Sequence, residues 1–308
     1  DKSMPEMIAS TYEIIEKIGS GGGGNVFLAY HVRLGKKVVL KADKRKITTK
    51  PELLRREVDI LKELNHPYIP RVYDFFAEGD TVYTVMDYIE GESLDRPLKR
   101  GERFSQSQVI TWACELLEAL SYLHSPTHGE PPRGFVHSDI KPANLMRTRD
   151  GHICLIDFNI ALALGEENVI GCSAEHYGLD YSSKSALGFV SDSHIRENEP
   201  KDEMATVLMA DDGADSTLTV AEPNRTETFH KEESASSQYK KVVPDVRSDI
   251  YSAGATLYHL LSGKRPAKDA LAVEPLLEEN ISLLVCRIIE KAMNPNPDLR
   301  YQTADEML

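Results

Sequence analysis

The hydrophobic period of the chain changes once, and that change limits the possible folds more than any other feature. From Tyr12 to about Tyr88, apolar and polar residues alternate in short runs broken by Gly and Asp, the signature of half-buried strands. The runs are Tyr12–Ile18, Asn25–Tyr30, Lys37–Ala42, Val72–Phe76 and Thr81–Met86. One helical stretch interrupts them, Pro51 to Leu64, with proline where a first turn tolerates it. From Gln106 onward the period is helical, over Val109–His124, Asp249–Ser262 and Ser282–Met293. The last segment opens with Thr303-Ala-Asp-Glu306, a capping-box spacing. The expected fold class is α+β and bilobal: a flank over 1–11, a small β-rich N-lobe over 12–90 and a larger helical C-lobe over 91–308.

Between about Ser182 and Ser234 a third composition intervenes, rich in Asp, Glu, Ser and Thr and without clear period. Such a segment buries too little apolar surface to offset its ordering entropy, so a loop is expected. A loop this long in a compact domain is more often functional than incidental. Both a solvated insertion and a regulatory or docking element stay open, with Thr217, Thr219, Thr226 and Thr228 as candidate modification sites.

Composition excludes several classes of function. The formal net charge of −13 is opposite to that of a nucleic-acid surface. No apolar run reaches the about 18 residues of a membrane span, and no secretory leader opens the chain. Cys114, Cys154, Cys172 and Cys286 lie far apart, with neither a zinc nor a disulfide spacing; reduced thiols are expected. The chain begins without Met and stops at Leu308 inside a helical pattern. It therefore reads as a piece of a longer protein, cytoplasmic or the cytosolic part of a membrane-anchored one.

Four clusters carry chemistry. Gly19-Ser-Gly-Gly-Gly-Gly-Asn-Val26 joins two strand runs; its glycines let backbone approach a phosphate closely. A dinucleotide fingerprint would need a helix next, and a strand follows instead. Lys41 shares a strand face with Val39. In the helix, Leu53, Glu57, Ile60 and Leu64 recur at spacings of 4, 3 and 4, so Glu57 lies in the apolar stripe. A carboxylate there needs a cation, and Lys41 is the expected partner, the pair suited to hold a phosphate. Phe135-Val-His-Ser-Asp-Ile-Lys-Pro-Ala-Asn-Leu-Met146 is a loop, because Pro142 forbids a regular helix. It brings Asp139, Lys141 and Asn144 close together. About a dozen residues later the apolar run Ile153–Ile156 ends in Asp157. A carboxylate beside an amide offers hard oxygens suited to Mg²⁺.

In order and spacing, these clusters resemble the eukaryotic-type serine/threonine protein kinase family, with a bacterial flavour, over nearly the whole chain. Asp245-Val-Arg-Ser-Asp-Ile-Tyr-Ser-Ala-Gly254 is similar to the family's buried central helix, where Asp249 braces the catalytic loop, and Arg300 fits its late structural Arg. The resemblance implies a protein kinase fold and phosphorylation of protein Ser/Thr hydroxyls, the chain's own included. It implies ATP and Mg²⁺ as cofactors, with Mn²⁺ as a substitute. Asp139 would orient the substrate hydroxyl and accept its proton, Lys141 would steady the γ-phosphate, and Lys41 with Glu57 would hold the other phosphates. Asn144 and Asp157 would hold the metal. Ile18, Gly19, Gly21, Gly24 and Val26 would cover the nucleotide. Met86 would be the gatekeeper, Asp87 and Ile89 would offer backbone hydrogen bonds to adenine, and Val39 and Met146 would sandwich the base. Partners would be protein substrates and not nucleic acid; oligomeric state is not readable.

Three positions depart from the family. Ser138 replaces the Arg between His137 and Asp139, so activity should not depend on a phosphorylated activation loop pairing with that Arg. Asn159 stands where Gly follows Asp-Phe. Ser236 and Ser237 stand where Pro-Glu is expected, removing the carboxylate partner of Arg300; Glu232 or Glu233 are candidate substitutes. Two rival readings remain: a pseudokinase-like nucleotide-binding regulatory module, motivated by these departures, and a small-molecule phosphotransferase on the same fold. The Gly254 helix and the Arg300 region weigh against the latter.

Overall fold

Each alternating run becomes a strand of one antiparallel sheet. The computed structural model describes residues 6–21, 24–43, 59, 61–125, 134–157, 245–266, 276 and 280–308. The strands are β1 (Met7–Ile8), β2 (Tyr12–Gly21), β3 (Gly24–His31), β4 (Lys36–Asp43), β5 (Val72–Glu78) and β6 (Thr81–Asp87), in the spatial order β1-β2-β3-β4-β6-β5. On β4 the period of two is plain: Val38, Leu40 and Ala42 are buried on one face, and Val39 and Lys41 occupy the other. Val38 and Leu40 join Ile8, Tyr12, Ala29 and Val85 in a core of their own. Of the expected helix over 51–64, residues 59 and 61–63 are helical; Glu57 lies outside the described residues, as do Asn159 and the acidic stretch 182–234.

A second sheet has the order β7-β8-β9, built from β7 (Gly91–Ser93), β8 (Leu145–Thr148) and β9 (Ile153–Leu155). The helices are α1 (Asp95–Lys99), α2 (Gln106–His124), α3 (Val246–Ser262), α4 (Leu283–Ala292) and α5 (Ala304–Met307). Ser105 caps α2 by accepting from Gln108 N at 3.2 Å. Its apolar stripe of Val109, Trp112, Leu116, Leu120 and Leu123 packs into the main core. α3 is buried on nearly every face from Asp249 to Ser262, as a central core helix must be. Asp245 and Ser248 close a capping box at its start. Gly254 lets α4 approach, since a Cβ there would stand 2.8 Å from Ala292 Cβ. At α5, Thr303 caps Glu306 N as expected, but Glu306 Oε2 accepts from Gln302 N at 2.8 Å, one residue before the position a closed box uses.

Polar contacts fasten the second sheet to α2. Trp112 Nε1 donates to Gly151 O at 2.8 Å. Glu115, buried on α2, accepts from Ile153 N at 2.8 Å and from His152 Nδ1 at 2.6 Å. Among the described residues, no helix is long and apolar enough to cross a membrane.

Candidate active site

Strand register assembles the first half of the site. Gly19 pairs with Val26, Val26 with Lys41 and Lys41 with Thr84, forming one row across β2, β3, β4 and β6. The next row runs Leu28, Val39, Met86 and Val72. Val26, Val39, Lys41 and Met86 thus come together on adjacent rows. Lys41 lies two residues inside the end of β4. Gly21 pairs with Gly24 at the turn beyond these rows, and Ile18 is exposed on β2. Asp87 closes β6, and Ile89 follows in the connection to β7. Met146 sits on β8, paired with Ser93 and Cys154. Burial pushes the Cys154 thiol up to about 12, so it stays protonated and inert.

The second half is a loop held from beneath. Asp249, with no exposed surface, accepts from His137 N at 2.7 Å, Ser138 N at 2.8 Å and His124 Nε2 at 2.8 Å. Ser138 takes φ 63° and Asp157 φ 69°, a left-handed conformation uncommon for residues with a Cβ. Pro142 opens a 3₁₀ turn, Pro142–Asn144. Asn144 Nδ2 donates to Asp139 Oδ2 at 2.8 Å and to Asp139 O at 2.7 Å, and Lys141 Nζ lies 2.9 Å from Asp139 Oδ2. Two bonds tie this loop to the residues before Asp157: Ile156 N donates to Asn144 O at 2.9 Å, and His137 Nε2 to Ile156 O at 3.1 Å.

Asp157 joins the two halves, because its Oδ1 pairs with Lys41 Nζ. Burial pushes the Asp157 carboxyl up, but the Lys41 ammonium outweighs it and leaves the group below its ordinary range. The partner expected for Lys41 was Glu57; among the described residues its partner is Asp157. Asp139, Lys141, Asn144, Asp157 and Lys41 therefore form one connected set.

Arg300, 3% exposed, was expected to lack its carboxylate. Its guanidinium donates instead to the carbonyls of Asn294 at 2.7 Å, Arg247 at 3.0 Å and Pro295 at 3.3 Å, and lies 4.8 Å from the Tyr251 ring centroid. Burial lowers its pKa to about 10. Positions 236 and 237 lie outside the described residues.

Sequence reasoning gave Asp87 a backbone role only. Its carboxylate accepts from Tyr73 OH at 2.5 Å, Lys36 Nζ at 3.1 Å and Arg71 N at 3.0 Å. The signal was present: Asp87 shares strand parity with the fully buried Val85, and a carboxylate on a core-facing register requires partners.

The family described as protein kinase domain matches residues 12–187, more than half of the chain. The chain belongs to the protein kinase domain family. The curated relatives it matches carry the name serine/threonine-protein kinase. It is 29% identical to a probable serine/threonine-protein kinase of Streptomyces coelicolor over 98% of this chain and 40% of that protein. It is 28% identical to PknA of Nostoc sp. over 99% of this chain and 47% of that protein. It is 26% identical to cds1 of Schizosaccharomyces pombe over 99% and 59%. The kinase domain thus spans about half the length of these curated relatives. A crystal structure of Rad53 1–466 in complex with AMP-PNP shares the fold, with a TM-score of 0.62 and 21% identity over 96% of this chain and 64% of that one.

Proposed function

We propose that this kinase domain transfers the γ-phosphoryl group of ATP to serine and threonine hydroxyls of proteins, its own included. The observation that carries the reading is the connected set around Asp139: Asn144 and Lys141 within 2.8 and 2.9 Å of its carboxylate, and Asp157 paired with Lys41. The names of the relatives, all serine/threonine-protein kinases, support the substrate class. On this reading the N-lobe spans 12–90 and the C-lobe 91–308.

Asp139 orients the attacking hydroxyl and accepts its proton, and the Asn144 amide holds the carboxylate in place for that transfer. Lys141 and Lys41 place positive charge beside the γ-phosphoryl group and the phosphates behind it. Binding of nucleotide draws Lys41 from Asp157 to a phosphate and releases that carboxylate. Asn144 directs its amide nitrogen to Asp139, and its oxygen together with the Asp157 carboxylate would hold Mg²⁺ or Mn²⁺, both being hard oxygen donors. When bound, the ion neutralises charge on the phosphoryl oxygens. Gly19, Gly21, Gly24, Ile18 and Val26 cover the nucleotide, Val39 and Met146 enclose the base beside Met86, and the backbone of Asp87 and Ile89 meets its polar edge. Glu57 remains the proposed partner of Lys41 in the catalytic state.

The test is transfer of radiolabel from Mg·ATP to a generic basic protein and to the chain itself. Incorporation is expected, and Asp139→Asn should lower it by about 10²–10⁴-fold. Thermal stabilisation by ATP with no incorporation onto either protein would sink the catalytic reading.

A further inference from the structure

The carboxylate of Asp87 takes no part in the chemistry above, yet it is among the most heavily bonded groups in the sheet. Asp87 is the last residue of β6, where the chain leaves the sheet toward β7. Its Oδ1 accepts from Tyr73 OH at 2.5 Å and Lys36 Nζ at 3.1 Å, and its Oδ2 from Arg71 N at 3.0 Å. Its own N–H donates to Arg71 O at 2.9 Å. Lys36 Nζ in turn donates to Tyr73 OH at 2.5 Å and lies 4.2 Å from that ring's centroid.

Three features show that this is a built arrangement. The register of β5 against β6 slips between Val72 and Asp74, so Tyr73 is the extra residue of a bulge, a device that re-aims a side chain. Lys36 opens β4, on the strand flanking β6 from the other side; three strands thus converge on one carboxylate. Asp87 pairs with Val38, whereas Met86 pairs with Val39. The carboxylate therefore lies on the face opposite Met86, Val39 and Lys41, and the nucleotide face is left to the backbone.

We infer that Lys36, Tyr73 and the Asp87 side chain form a latch that fixes the backbone at residues 87–89, and that Lys36 and Tyr73 are positioning residues setting the chain's preference for adenine over other bases. The inference rests on the nucleotide-binding reading above. Burial pushes the Asp87 carboxyl up, but the bonds from Tyr73, Arg71 and Lys36 outweigh it and hold the group below its ordinary value. Burial and the Asp87 bond raise the Tyr73 phenol. At neutral pH the latch is thus a carboxylate, a phenol and an ammonium.

The test uses the 308-residue chain and measures Kd for ATP and for CTP by calorimetry, beside Tm, in Tyr73→Phe, Lys36→Met and Lys36→Arg. A latch predicts that Tyr73→Phe and Lys36→Met each shrink the ATP-over-CTP preference by about three- to tenfold, the worth of one hydrogen bond. Lys36→Arg, which keeps a donor cation, should restore most of it. A lowered Tm with the preference unchanged would make the trio merely structural and overturn the inference while leaving the proposed function intact. An unsubstituted chain that binds neither nucleotide would overturn both. Should Tyr73→Phe fail to fold, the two Lys36 variants read the same ratio.

Discussion

At the scale of single residues, Asp249 does the most with the least exposure. One buried carboxylate anchors two backbone N–H groups of the loop that holds Asp139 and the ring of His124. In Asp249→Ala those donors stay buried without an acceptor, each costing about 1–3 kcal/mol. Urea unfolding should show a loss of about 3 kcal/mol or more, and phosphotransfer should fall even where the fold persists. The bracing role of Asp249 was legible, because the loop and helix motifs sit at readable spacings. Partner choice was less so. Asp157 as the partner of Lys41 and the carbonyl cage around Arg300 depend on which groups the fold brings together from distant parts of the chain, and no spacing encodes that. The positive φ of Ser138 was equally invisible, since serine does not announce a left-handed turn, whereas Asp157 is of a type that tolerates one.

At the scale of elements, pattern reading succeeded because burial sets period. All five strand runs became strands, extended by one to three residues where ladder bonds continue past the apolar core. Gly91 marks a limit of that reading. A Cβ there would meet Arg147 O at 1.9 Å, so β7 can pair with β8 only through a glycine. Gly91→Ala is expected to open this pairing, destabilise the chain by about 1–3 kcal/mol and move Met146; near-ultraviolet circular dichroism with thermal melting checks this. The α2–β9 junction carries a pH response. The hydrogen bond and charge of Glu115 raise His152 above its ordinary 6.5. A group raised on folding contributes stability that is complete below 6.5 and is lost as pH rises through the folded value. His66 and His259 are lowered by burial, so their contributions are present above 6.5 and lost on acidification. The difference in Tm between the parent and His152→Gln isolates the first effect: it should be larger at pH 6 than at pH 8, and a constant difference would refute the assignment.

At the scale of the whole molecule, the described residues hold two apolar cores, one behind the six-stranded sheet and one around α2, α3 and α4. The two cores do not divide where the hydrophobic period changes: Leu61, Leu64, Ile69 and Val72, which precede the change, belong to the second. Ser138 brings no charge to the loop proposed as catalytic, where the family carries an arginine. Treatment with a broad-specificity phosphatase should therefore leave the initial rate of substrate phosphorylation unchanged; a collapse of the rate would show that another cation has taken over that role.

The chain contains 1 Trp, and its indole N–H is bonded to the turn of the hairpin that carries Met146. The single indole thus sits at the joint between the helical core and the floor proposed for the base. Its emission can follow that floor in the unlabelled protein, so nucleotide titrations and stopped-flow binding need no dye.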